Sequence, residues 1–377
     1  MLNRPLFDIS GRIRCGVFSR FALAACMLGT VFATGAARAV DDGIPPLLRS
    51  PATTTSAKAF VLTDLGDSKI STYLSSSNID GIALQIAWSS LETSQGVYAF
   101  SGVNNTLTQA LSAAKSAGKQ VTLHIPGFGQ SPSWLQSAGA QFYTSTNNLG
   151  QARSYVIPWD SVYLSTYTTF INALSSYISK NNFGSTVFDV SVAIPVQEMN
   201  IDPCTNGQLS TTVAYNETDY YNAWVQIGGA FKSAFPSQVK FVSPPANESV
   251  CVGDKDATFF SSVMNDFLGT SSTFWMFAAD LSANAVPSSR TAPYLSYTSE
   301  TGLAYQMIGS STTSTSGSKN PILQGGTYPT NLKTAVCGGL ANGASYIEVY
   351  AVDEQNSNTD IQNAIKAIHT PSMCTTK

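Results

Sequence analysis

The sequence predicts an α/β fold, a (β/α)8 TIM barrel built from a single domain, with elaborated loops after strands 4 and 6. Three observations carry this reading. Short apolar runs rich in β-formers alternate with longer stretches of helical spacing over residues 58–377, eight of each. Strand and helix in alternation imply a parallel sheet with right-handed crossovers, and eight units in about 320 residues suit a closed barrel. The competing open, doubly wound sheet has no support as a nucleotide binder, because no G-x-G-x-x-G follows the first strand and no Walker loop is present.

Taken in order, the chain begins with Arg4, Arg12, Arg14 and Arg20, then an apolar stretch from Phe21 to Phe32, then Ala37-Arg38-Ala39. That is the pattern of an export signal with an A-x-A cleavage site, so residues 1–39 are expected to be removed and the mature chain to start near Val40. Leu23-Ala24-Ala25-Cys26 also fits a lipoprotein box, but only Phe21 and Ala22 separate it from Arg20, and most of the apolar stretch would lie beyond the cut. Residues 40–57, with Pro45-Pro46, Pro51 and a run of threonines, read as an exposed leader ahead of the barrel domain, 58–377.

Strands are expected at Ala59–Leu65, Gly81–Trp88, Gln120–Ile125, Val187–Val196, Val239–Val242, Phe274–Ala279, Pro321–Leu323 and Ser345–Val352. Helices are expected at Ser68–Ser76, Asn105–Ala117, Val162–Ser179, Thr218–Ala234, Thr258–Leu268, Ser299–Ile308, Asn331–Leu340 and Asp360–Ile368. Asn200–Asn216 and Gly309–Lys319 are long and polar and read as elaborated loops.

Charge narrows the partners. Only 11% of residues are charged, against about 25% in an ordinary soluble domain, and removal of the signal moves the net charge from −3 to −7. No basic run follows the first 40 positions, so nucleic acid is not an expected partner. No later stretch approaches the ~20 apolar residues of a bilayer span, so no membrane association is expected once the signal is gone. Cys204, Cys251, Cys337 and Cys374 remain, an even number in an exported chain, and Cys204–Cys251 with Cys337–Cys374 is the preferred of three pairings because each closes a modest loop. With no C-x-x-C and only His124 and His369, neither a zinc site nor any cofactor is expected.

In such a barrel, working residues project from the C-terminal ends of strands. Glu348 alternates with apolar neighbours: Tyr346, Glu348 and Tyr350 share one face and Ile347, Val349 and Ala351 the other, which should pack outward. Glu348 is therefore expected inside the barrel. Glu198 ends the fourth strand behind Gln197, and Asp280 ends the sixth. Two carboxyl groups across a barrel mouth suit cleavage of a glycosidic bond, one as acid and one as nucleophile or base. Separations of about 5–5.5 Å suit retention and roughly 6.5–9.5 Å inversion. His124 ends the third strand, and Trp88, Phe128, Trp134 and Trp159 could offer ring faces to sugars. No G-x-S-x-G exists, so no Ser-His-Asp hydrolase set is arguable.

The segment Asp80–Phe100 carries Trp88, Leu91-Glu92, Gly96, Tyr98 and Phe100, and is followed by Gly118-Lys119 and by Pro132-Ser133-Trp134-Leu135. It resembles the corresponding stretch of clan-A glycoside hydrolases, particularly the β-galactosidase-like barrels, over about residues 80–135. The resemblance implies an acid/base glutamate at Glu198, with Gln197 where the family has Asn. It also implies that the family's nucleophilic glutamate falls near Gln324, where an amide cannot attack. Three readings follow: a hydrolase in which Glu348, or Asp280, supplies the missing carboxylate; a glycan-binding barrel without turnover; or an exported barrel with another chemistry. The first makes Glu198 and Glu348 catalytic, and Trp88, His124, Trp134, Gln197, Asp280, Gln324 and Tyr350 the residues that bind a carbohydrate.

Overall fold

Eight parallel strands form one ladder in the computed structural model, which describes residues 56–101, 106–125, 127, 131–146, 152–192, 213–242, 262–263, 265–266, 273–283, 302–311 and 327–374, without the side chains of 145, 146, 152, 153 and 280. The strands are β1 (Lys58–Asp64), β2 (Gly81–Gln85), β3 (Gln120–His124), β4 (Val187–Val190), β5 (Lys240–Val242), β6 (Phe274–Leu281), β7 (Leu303–Met307) and β8 (Ala344–Tyr350). Their order around the sheet is β4-β3-β2-β1-β8-β7-β6-β5. The two ends meet at a parallel bridge between Asp189 and Val239, with Val239 N–H donating to the Phe188 carbonyl at 2.9 Å and Val192 N–H to that of Phe241 at 2.9 Å. The sheet is thus a (β/α)8 barrel.

The apolar patterning explains why it closes. Ile347 and Val349 of β8 join a large core between the strands and the helices outside them. A second, smaller core fills the barrel interior with Phe60, Leu62, Ala83, Phe241, Phe277, Ala304 and Tyr346. Small residues stand opposite rings: a Cβ on Gly81 would lie 2.6 Å from the Phe60 ring and 2.0 Å from the Gln120 carbonyl oxygen.

The helices are α1 (Ile70–Ser75), α2 (Thr106–Ser116), α3 (Ser161–Lys180), α4 (Glu217–Ala234), α5 (Tyr328–Ala341) and α6 (Thr359–Lys366). Asp160 caps α3 by accepting the Tyr163 N–H at 2.9 Å, and α3 buries Tyr163, Tyr167, Phe170, Leu174 and Ile178 along one stripe. Asn216 caps α4 in the same way, with Glu217 and Asp219 in its first turn. Cys337 of α5 is disulfide-bonded to Cys374 in the C-terminal turn, one of the two expected pairings. Cys204 and Cys251 lie outside the described residues.

Several expectations need correction. Ser299–Ile308 has helical spacing and is expected as a helix, yet Leu303–Met307 is β7, paired with β6 and β8. Leu303, Tyr305 and Met307 face the outer core and Ala304 the interior, and burial on both faces overrides helix propensity. The barrel's seventh place is therefore filled ahead of Pro321–Leu323, a segment outside the described residues. The polar stretch beginning at Gly309 follows strand 7 rather than strand 6. The eighth strand stops at Tyr350, where a short helical turn, Ala351–Glu354, begins. Two antiparallel hairpins, Glu92–Ser94 with Val97–Tyr98 and Phe142–Thr146 with Ala152–Val156, decorate the loops after β2 and β3.

Candidate active site

Glu348 points into the barrel, as its alternation with Ile347 and Val349 predicts, and is 0% exposed. Its Oε1 lies 2.7 Å from His124 Nε2 and accepts the Tyr346 hydroxyl at 2.7 Å. Its Oε2 is buried and has no hydrogen-bond partner among the described residues. The Tyr346 hydroxyl lies 3.0 Å from the Thr122 hydroxyl; having given its one proton to Glu348, it accepts from Thr122.

The line continues on the far side of the imidazole. His124 Nδ1 is 2.7 Å from Ser191 Oγ, which is 2.8 Å from Asp189 Oδ2. Asp189 Oδ1 accepts the Phe241 N–H of β5 at 2.7 Å. Asp189 and Ser191 are completely buried, and a register irregularity turns them inward. Val121 pairs with Val187, but the next residue, Thr122, pairs with Asp189, so Phe188 is the extra residue of a β-bulge. Without that bulge strict alternation would turn Asp189 and Ser191 outward.

Burial dominates the electrostatics. It pushes the Asp189 carboxyl up to about 8, against the opposing effects of His124 and of the hydrogen bonds from Ser191 and Phe241. Burial alone would lower His124, but the Glu348 carboxylate beside it, and more weakly Asp189, raise it overall. Tyr346 is held well above its ordinary value, first by burial and then by Glu348, so it stays a donor. The His124 ring packs 5.4 Å from the Phe277 ring, in apolar surroundings that strengthen each polar contact.

The other expected site residues separate into three groups. His124, at the end of β3, has a side chain 13% exposed and reaches the surface while Glu348 does not. Tyr350 ends β8, half-buried, with its hydroxyl 3.5 Å from Gln306 Nε2. Trp134 is half-buried on the turn after β3, its indole N–H donating to the Glu92 carbonyl at 3.0 Å.

Trp88 corrects its expectation: it is 0% exposed, packed against Trp134, Tyr167 and Phe170, and has no free face for a sugar. Its indole donates to Glu92 Oε2 at 2.9 Å while Gly96 N–H donates to Oε1 at 2.8 Å. Trp88, Glu92 and Gly96, the residues that carry the resemblance, are thus a locked structural knot. Trp159 likewise packs edge-on against Tyr215 and Tyr220.

Gln197, Glu198, Gln324 and Phe128 lie outside the described residues; Asp280 belongs to β6 by its backbone.

Asp189, Ser191, Thr122 and Tyr346 are site members that were not singled out. The available signal was an aspartate inside an otherwise apolar strand, where an unpaired charge would cost several kcal/mol. Ser191, His124 and Glu348 even have the contacts of a nucleophile–base–acid set. Ser191 Oγ is nevertheless hydrogen-bonded to His124 on one side and Asp189 on the other, so its one oxygen is committed within the line. Among the described residues, no group of three or more His, Cys, Asp or Glu is placed to hold a metal, and no helix is long and apolar enough to cross a membrane.

No family model matches the sequence, and no curated protein does. Among solved structures the chain is similar to native xylanase 10B from Thermotoga maritima, at 11% identity and a TM-score of 0.49 over 85% of this chain and 97% of that one. It is also similar to the exo-beta-1,4-mannosidase Op5Man5 from Opitutaceae bacterium strain TAV5, at 10% identity and a TM-score of 0.46 over 78% of this chain and 52% of that one. The barrel assignment rests on the strand order and register of this chain itself.

Proposed function

We propose that this protein is an exported glycoside hydrolase in which Glu348 is the nucleophile or base and Glu198 the proton donor. One observation carries the reading: Glu348 is held through Oε1 by His124 and Tyr346 while Oε2 is uncommitted. A carboxylate that attacks an anomeric carbon or activates water needs one oxygen oriented and the other with its lone pairs available. His124 and Tyr346 together restrain the charge that the attacking group carries. Glu198 follows the C-terminal end of β4 by eight positions, and in such a barrel the working residues belong to those strand ends and the loops that leave them. Trp134 and Tyr350 provide half-buried rings for a carbohydrate. The Cys337–Cys374 disulfide supports an oxidising, exported location, as do the basic and apolar runs and the A-x-A pattern at the N-terminus.

The test is turnover of a panel of aryl glycosides and polysaccharides by the wild type, Glu198→Gln and Glu348→Gln. Each substitution is expected to lower kcat by about 100-fold or more. Unaltered turnover in both variants overturns the assignment. The closure of Glu348 from solvent favours one other reading, a carbohydrate-binding barrel without hydrolysis; glycan binding with no wild-type turnover selects it.

A further inference from the structure

Two carboxyls and one imidazole lie on a single unbroken hydrogen-bonded line: Asp189 Oδ2, Ser191 Oγ, His124 Nδ1, His124 Nε2 and Glu348 Oε1, with steps of 2.8, 2.7 and 2.7 Å across the three gaps. Both carboxyls are sealed from water, and only the imidazole between them reaches the surface. We propose that this line is a proton relay that exchanges one proton between Asp189 and Glu348, with Asp189 as a positioning residue and His124 as the port to solvent. The inference deepens the reading of Glu348 as a reacting carboxylate and rests on it for its catalytic meaning only.

The exchange balances without water or any added reactant. In one state Asp189 Oδ2–H donates to Ser191 Oγ, Ser191 donates to His124 Nδ1, and His124 Nε2–H donates to an ionised Glu348. In the other, Glu348 Oε1–H donates to His124 Nε2, His124 Nδ1–H donates to Ser191, and Ser191 donates to an ionised Asp189. Passing between them breaks the bonds to hydrogen at Asp189 Oδ2, Ser191 Oγ and His124 Nε2 and forms bonds to hydrogen at Ser191 Oγ, His124 Nδ1 and Glu348 Oε1, which moves one proton in net and keeps every hydrogen bond. Because Ser191 has a single proton, its direction fixes which His124 nitrogen is protonated.

Among the described side chains, the surroundings add few competing charges. Tyr346 and Tyr350 on β8 feel Glu348, and Lys240 on β5 feels Asp189. Leu62, Ala83, Phe277 and Gln306 line the interior from β1, β2, β6 and β7 without charge. The bulge at Phe188 turns Asp189 and Ser191 onto the line together, while the Phe188 ring packs against Phe60 and Tyr346 in the barrel interior. The elevated value of Asp189 fits a group that stores the proton near neutrality.

His124 and His369 are the only two histidines in the chain, so His369→Gln leaves a single imidazole reporter. The experiment is a titration of the His124 ring nitrogens by ¹⁵N NMR between pH 5 and pH 10, in that background, for the parent, Asp189→Asn and Ser191→Ala. The parent is expected to respond in two steps, one its own and one as Asp189 loses its proton, because coupled groups titrate in macroscopic steps. Asp189→Asn cannot store a proton and fixes the Ser191 direction, so it is expected to show one step with only the Nε2–H tautomer. Ser191→Ala keeps both carboxyls but cuts the line, and is also expected to show one step. A single step in the parent, or two steps surviving in Ser191→Ala, overturns the relay. If Asp189→Asn does not fold, the other two titrations decide. No substrate is present, so absent turnover bears on the hydrolase reading alone and a single-step parent on the relay alone.

Discussion

Glu92 and Asp189 show how differently two buried carboxyls can behave in one chain. Glu92 is 1% exposed and takes the Trp88 indole N–H and the Gly96 N–H on separate oxygens. Glu92→Ala leaves the buried Trp88 indole N–H without its partner at about 1–3 kcal/mol, while the N–H of exposed Gly96 turns to water, and a lowered urea midpoint at neutral pH will read the loss. Asp189 acts through its proton. Folded, it holds that proton up to about 8, whereas an unfolded aspartate releases it near about 4. Between those values the native state binds more protons than the unfolded one, so stability falls as pH rises from about 4 through about 8, and the raised His124 adds the same sign at higher pH. Wild-type urea midpoints are therefore expected to be lower at pH 9 than at pH 5, with a smaller gap in Asp189→Asn. Glu348 was legible from a two-residue alternation, because a charge among Ile347 and Val349 can only point inward. Ser191 was not, since its orientation depends on a bulge that no periodicity announces.

At the scale of elements, each expected strand other than Pro321–Leu323 begins within a residue of an observed one, though the second and fourth stop early, at Gln85 and Val190, and the expected helix Thr258–Leu268 lies largely outside the described residues. The exception, β7, is instructive. Leu303-Ala304-Tyr305-Gln306-Met307 lies in a stretch of helical spacing, and only its place between β6 and β8 makes it a strand. That misreading moved the expected seventh strand to Pro321–Leu323 and tied Gln324 to its end. β2 depends on Gly81 for a reason visible only in three dimensions: any Cβ there meets the Gln120 carbonyl at 2.0 Å and the Phe60 ring at 2.6 Å. Gly81→Ala is expected to destabilise the barrel by about 1–3 kcal/mol, measured by thermal or urea unfolding, with the loss falling on packing.

Over the whole molecule, alternation alone disclosed the barrel, because eight strand–helix units have few ways to bury both faces of a parallel sheet. The candidate site was only half disclosed, since it requires residues from β3, β4 and β8 to meet, and sequence distance hides such meetings. The Cys337–Cys374 bond ties α5 to the end of the chain, and Cys337→Ser with Cys374→Ser is expected to lower stability by about 2–4 kcal/mol, seen as a lower Tm under oxidising conditions. The seam between β4 and β5 has a consequence of another kind. Where the Phe241 amide would meet a strand carbonyl, it meets the Asp189 carboxyl instead, so the last stave of the barrel is fastened by an ionisable clasp. The grip of that clasp changes with its proton. Opening of the cylinder at this edge is therefore expected to follow the charge on Asp189, and the pH dependence of amide exchange at Phe241, measured in the wild type and in Asp189→Asn, reads it.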